Sequence, residues 1–130
     1  MATRLANATR NAACNAVVDL LNSGTINFYT ATPTDVDDAD IGTLLGTCTF
    51  AATAFGDASD GVATAAAIVA DSSADDSGTA VCARIKTSAA ALHSDTDCGD
   101  GSGSINFDNN VIVAGGTIAI SNYMTWTQPA

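Results

Sequence analysis

The chain has 130 residues and a formal net charge of −10; Leu, Ile, Val and Phe together number 26, and Ala alone supplies another 26. That is the length of one domain with a thin core, a chain that gains stability by burying surface in an assembly. No apolar run reaches the about 18 residues of a membrane span, no continuous apolar stretch in residues 1–18 suggests a secretory signal, and four basic residues against fourteen acids exclude a grip on nucleic acid through its phosphates.

All fourteen acids are Asp, accompanied by 17 Thr, 11 Gly, 10 Ser and 9 Asn. Asp, Asn and Gly favour turns and caps, and Thr suits a pleated surface, so short strands joined by turns are expected. One segment stands apart. Residues 3–22 contain no Gly or Pro. Leu5, Ala8, Ala12, Ala16, Val17, Leu20 and Leu21 recur at helical spacing, with Asn7, Asn11, Asn15 and Asp19 on another face. The pattern predicts a helix over about 3–22, packed by its Ala/Leu stripe and stopped by Asn22, Ser23 and Gly24.

After Gly24 the period becomes two. Residues 25–30 read as a strand with Ile26 and Phe28 inward, followed by a loop over 31–40 that holds Pro33 and four Asp. Residues 42–51 read as a second strand. Residues 61–70 are ambiguous, an Ala run suiting a helix while Val62, Thr64, Ile68 and Val69 favour a strand. Residues 71–78 break the pattern. Over 79–87, Val81, Ala83 and Ile85 alternate with Cys82, Arg84 and Lys86, a strand with one buried face. Residues 92–96 would be its hairpin partner, 97–103 a loop, and 104–107, 111–113, 117–121 and 123–127 further strands. The prediction is a single domain, 1–130, mainly β: an antiparallel β-sandwich or barrel of about seven or eight short strands, its body over 25–127, carrying one N-terminal helix.

Chemistry finds little support in these residues. His93 is the one histidine, expected on an exposed strand, with no nucleophile elbow or Cys-His signature beside it. Asp pairs lie in Gly/Ser loops, where solvation keeps a carboxylate from becoming a general acid; a small hydrolase built on such a pair is the weakest reading. A cation is the sharper alternative: Asp95, Asp97 and Asp100 resemble the start of a calcium loop, and Asp35, Asp37, Asp38 and Asp40 form a second cluster. The first departs from the EF-hand pattern, with Gly99, Asp100 and Asn106 at the fifth, sixth and twelfth positions. Cys14, Cys48, Cys82 and Cys98 give no metal-binding spacing, so free buried thiols are expected, with Cys82 and Cys98 able to lie opposite one another if their strands pair. Asn7, Ala8 and Thr9 match a glycosylation sequon, without meaning in a helix of an unexported chain.

Charge is uneven. Residues 1–18 hold Arg4 and Arg10 and no acid, while residues 35–76 hold nine Asp and no base. This suggests an oriented module, with Arg4, Arg10, Arg84 and Lys86 facing a partner and acidic loops facing solvent.

Several stretches together resemble a group of small tailed-bacteriophage virion proteins. They are Ala2-Thr3-Arg4-Leu5, then Arg10-Asn11-Ala12-Ala13-Cys14-Asn15-Ala16-Val17-Val18-Asp19-Leu20-Leu21-Asn22-Ser23-Gly24, Gly42-Thr43-Leu44-Leu45, Gly61-Val62-Ala63-Thr64-Ala65, Ser77-Gly78-Thr79-Ala80, Ile105-Asn106-Phe107-Asp108-Asn109-Asn110 and Ala114-Gly115-Gly116-Thr117-Ile118-Ala119-Ile120-Ser121. The similarity runs over most of the chain and departs at Val81-Cys82-Ala83, where bulkier aromatics are usual. It implies a particle protein found on the virion, here expected to be a capsid decoration (cement) protein. Such a protein would bind the major capsid protein on the assembled head as a homo-oligomer, a trimer favoured, without catalysis, cofactor, nucleic acid or membrane. It would stabilise the head because it binds the assembled form preferentially. The rival is a tail- or fibre-associated adhesion module reading glycans through Tyr29, Tyr123 or Trp126.

Overall fold

The computed structural model describes residues 3–99, 105–107, 109–120 and 125–128. One helix, α1 (Asn7–Val18), runs into a 3-10 turn, Asp19–Leu21. Nine strands follow among the described residues: β1 (Thr25–Tyr29), β2 (Leu44–Thr49), β3 (Val62–Thr64), β4 (Gly78–Thr79), β5 (Cys82–Lys86), β6 (Leu92–Gly99), β7 (Ile105–Asn106), β8 (Val111–Ile112) and β9 (Thr125–Thr127). The fold is mainly β and sandwich-like, not a closed barrel. Its main sheet has the order β2-β1-β5-β6-β7, and β3-β9 and β4-β8 are two-stranded ribbons. Every pairing is antiparallel except β6 with β7.

The core follows from the period of two. Ile26 and Phe28 of β1, Cys48 of β2 and Ala83 and Ile85 of β5 share one face of the main sheet and are fully buried. Phe107 meets Phe28 edge-on at 4.9 Å, and Cys14, Val18 and Leu21 close the core from the helix. Aliphatic side chains are few, so many of the buried positions are Ala: Ala54, Ala63, Ala65, Ala74, Ala80 and Ala83.

Several expected elements are shorter or placed differently. Residues 61–70 do not form one strand: β3 stops at Thr64, Ala65 makes an isolated bridge to Phe55, and Val69 bridges Thr49. In the strand expected over 117–121, the described residues 117–120 give one bridge, Ile118 with Asp71. The strand expected over 79–87 is divided. Gly78–Thr79 pairs with β8, the chain crosses at buried Ala80, and β5 then enters the main sheet. β6 runs on to Gly99, through the start of the expected loop. Ser104, Ser121, Tyr123 and Met124, assigned to strands from sequence, lie outside the described residues.

Turn chemistry explains the β3 hairpin. Asp60 and Gly61 both have positive φ, 51° and 77°, and Ser59 and Val62 exchange two backbone hydrogen bonds of 2.9 Å. This is the geometry of a two-residue primed turn, which Asp-Gly favours. A Cβ on Gly61 would lie 2.7 Å from the Arg10 guanidinium and 2.8 Å from the Gln128 carbonyl oxygen, so no side chain fits there.

The outer edge of β2 is covered. Thr49 and Val69 exchange backbone bonds of 3.1 and 2.8 Å, Asp75 N–H donates to the Leu45 carbonyl at 2.8 Å, and Thr47 N–H donates to the Asp71 carboxylate at 2.9 Å. A side chain here takes the place of a neighbouring strand, which blunts edge-to-edge association.

Candidate functional site

α1 positions the first region of interest, and its orientation departs from the sequence-based expectation along the Ala row, while Leu21 of the same stripe is buried as expected. The Asn row faces inward. Asn11 Oδ1 accepts from Gly61 N–H at 2.8 Å, Asn15 Oδ1 accepts from Ala58 N–H at 2.9 Å, and Asn7 Nδ2 donates to Asp60 at 3.0 Å. Asn22, just past the 3-10 turn, accepts from Ala54 N–H at 2.9 Å. The amides of Asn11, Asn15 and Asn22 act as caps for backbone donors of the 54–61 segment, which would otherwise lack partners beside the helix. The Ala stripe faces outward: Ala8, Ala12 and Ala16 are exposed, and Leu20 is 59% exposed. Amide oxygens accept strong hydrogen bonds, whereas an Ala methyl loses little by staying in water, so the polar face was the one to dock.

Arg10 serves the same junction. Its guanidinium donates twice to the Gln128 carbonyl, at 3.2 and 3.1 Å, and once to Asn7 Oδ1 at 3.2 Å. Arg4 is exposed. Of the four basic side chains, Arg4 alone makes no ion pair or hydrogen bond among the described residues.

Arg84 corrects a second expectation. It lies on β5 opposite Asp95 of β6, on the face turned from the core. It was expected at the surface but is 0% exposed. The strand is covered on both faces because the Asp-rich loop, residues 31–43, folds over Arg84. Nε donates to Asp95 Oδ1 and Nη1 to Asp40 Oδ1, both at 2.8 Å; Nη1 also donates to the Asp38 carbonyl at 2.8 Å, and Nη2 to the Val36 carbonyl. Lys86 Nζ reaches Asp40 Oδ2 at 3.0 Å, and the Tyr29 hydroxyl donates to the same oxygen at 2.9 Å. Arg84 and Lys86 are therefore internal clamps, and neither presents a free charge to a partner.

The electrostatics fit this arrangement. Desolvation pushes the Asp40 carboxyl up, but hydrogen bonds from Lys86, Tyr29 and Arg84 outweigh it and hold Asp40 below the ordinary carboxylate value. Desolvation lowers Arg84, and the bonds to Asp95 and Asp40 more than reverse it. Burial, then the Asp40 hydrogen bond and charge, raise Tyr29 to about 12. The exposed Asp35, Asp37 and Asp38 organise the tip of the loop: Asp35 Oδ1 accepts from Asp37 N–H, and Asp38 Oδ2 from Asp35 N–H, each at 3.0 Å.

The other candidates are placed as follows. His93 is half-buried, not exposed; Nε2 lies 3.0 Å from the Val17 carbonyl, Nδ1 lies 2.9 Å from Ser94 Oγ, and the ring meets Trp126 edge-on. A carbonyl only accepts, so Nε2 carries the proton, and His93 ties β6 to the end of α1. Asp95 of the calcium candidates is engaged by Arg84, and Asp100 lies outside the described residues. Among the described residues no group of three His, Cys, Asp or Glu side chains is placed to hold a metal ion.

All four cysteines are free and buried. Cys82 stands opposite Asp97, so Cys98 points to the other face of the sheet and the two thiols do not face one another. Burial raises the thiol pKa of Cys48, Cys82 and Cys98, the last to about 12 with help from Cys82 and Asp97. Such thiols are poor nucleophiles.

Comparison with protein-family models, curated proteins and solved structures finds no match to this chain.

Proposed function

We propose that this chain is a non-catalytic structural module of a tailed-bacteriophage particle. It binds the outside of the assembled head through the outward face of α1. The observation that carries the reading is the inverted helix. Ala8, Ala12, Ala16 and Leu20 form an apolar strip with Arg4 at one end, on a molecule whose net charge is −10. Residues 3–18 contain no acid. A neutral or mildly acidic shell surface can approach there without the like-charge repulsion that it would meet at the Asp loops. Small side chains let a partner backbone come close, and the helix buries no aromatic anchor, so occupancy depends on repeated sites on the shell. The resemblance of the sequence to small virion proteins supports a place on the particle, and the internal commitment of Arg84 and Lys86 leaves α1 as the docking element. Self-association, with a trimer at three-fold positions, would cover further surface of the thin-cored domain.

The test is binding of purified protein to expanded heads that lack it. Wild type should co-sediment saturably, and Ala12→Asp should reduce occupancy at least about tenfold while changing stability by less than about 0.5 kcal/mol. Reversal of Arg4 to Glu should weaken binding more at low salt than at high salt. Full occupancy by Ala12→Asp would remove α1 as the contact.

A further inference from the structure

A second region lies away from the outward face of α1. β6 and β9 touch where His93 meets Trp126, ring centroids 5.5 Å apart and planes at 76°. Beside that contact is a cleft of about 400 Å³, at the small end of ligand pockets. Buried Ile85 and Ile105 form its apolar part with Trp126, and Ser94, Thr96, Thr125 and Thr127 line the rest together with Asp95.

Two features of this lining are unexplained by folding alone. Ser94 and Thr96 stand opposite Ile85 and Ala83, on the core face of β6, where the period of two calls for apolar side chains. The side chains of Thr96, Thr125 and Thr127 make no hydrogen bond among the described residues, so their hydroxyls are available to a ligand.

We infer that this cleft binds one neutral pyranose ring, free or at the end of a glycan. The C–H face of such a ring is apolar and suits an indole, while its rim carries hydroxyls that both donate and accept, as Ser and Thr hydroxyls do. An anion finds no cation in this lining, and the net charge of −10 repels it. A cation finds no carboxylate to hold it, because Asp95 turns its side chain to the opposite face of β6, where Arg84 binds it at 2.8 Å. One stacked ring with a few hydrogen bonds gives millimolar affinity, of use to a molecule that presents many copies together. This inference does not depend on where α1 docks, and its test uses the isolated protein.

Trp126 is the single tryptophan of the chain, so its fluorescence reports directly on the cleft. The full chain is titrated with methyl glycosides of glucose, galactose, mannose and N-acetylglucosamine to about 100 mM, with glycerol as the control polyol. The expected result is a saturable change for at least one glycoside and none for glycerol. The double variant Thr96→Val with Thr125→Val keeps strand propensity and should keep the wild-type circular dichroism, but it should bind at least about tenfold more weakly. Linear responses shared with glycerol, or undiminished binding by a folded double variant, would overturn the inference. Should the double variant not fold, Thr125→Val alone, at an exposed position, is expected to weaken binding, and unchanged affinity there would count against it equally.

Discussion

The two faces of the main sheet solve the same problem by opposite means. On one face Ile26, Phe28, Ala83 and Ile85 meet apolar partners and exclude water. On the other, Tyr29, Arg84, Lys86 and Asp95 build an ionic and hydrogen-bonded layer under the 31–43 loop. The apolar face tolerates loose partners, because dispersion and burial are non-directional. The polar face does not: a guanidinium removed from water needs its donors matched, and four of its bonds reach loop or strand oxygens. The lesson is that an acidic loop without a base of its own can be held in place by one arginine supplied from a strand.

Removing that arginine should give the largest effect. Arg84→Ala removes the donor of Asp40 Oδ1, Asp95 Oδ1 and two carbonyls and should destabilise the fold by about 4 kcal/mol at neutral pH. Ile85→Ala, its neighbour on the other face, should cost about 3 kcal/mol through the cavity it leaves. Denaturant titration of both variants checks the order, and pH sharpens the contrast. Asp40 is held below its ordinary value in the folded state, so its contribution is present above the unfolded carboxylate range and is lost as pH falls through the folded value. The gap between wild type and Arg84→Ala should therefore narrow below about pH 4, while the Ile85→Ala gap should persist. A parallel decline of both gaps would mean that the polar layer is not ionic in effect.

Smaller effects probe the rim of the same layer. Tyr29→Phe should cost about 1 kcal/mol, the worth of one hydrogen bond to a charged acceptor less its rehydration. With its folded pKa raised to about 12, Tyr29 favours folding below pH 10, and this contribution declines as pH rises from there through the folded value. Spectrophotometric titration of the phenol at high pH reads that directly. Asn11→Ala should cost about 1 kcal/mol, because Gly61 N–H loses its acceptor. Ala12→Asp, on the opposite side of the same helix, should change stability least and head binding most.

The strand periods of β1 and β5 were legible because Ile26, Phe28, Ala83 and Ile85 recur every second residue, and α1 was legible because no Gly or Pro interrupts residues 3–22. The orientation of α1 was not. Ala is small enough to sit in either environment, and an Asn amide reads as surface until a backbone donor is known to lie opposite it. Arg84 could have been suspected from the 31–40 loop, whose four Asp have no nearby base in the sequence. The cleft beside Trp126 had one signal, two hydroxyl residues at inward positions of β6, but its other wall comes from residues 125–127, about thirty positions along the chain.

By itself the sequence determined the one N-terminal helix and the strands β1, β2 and β5 that follow it, since these rest on local sterics and on the spacing of apolar residues. It also fixed a charge of −10 that any partner must accommodate. Only the tertiary structure decided which face of α1 and of β5 is covered. Periodicity defines that two faces exist; which one is buried depends on a partner from elsewhere in the chain, and for Arg84 and Asn11 that partner was a set of oxygens or a backbone N–H far away in sequence.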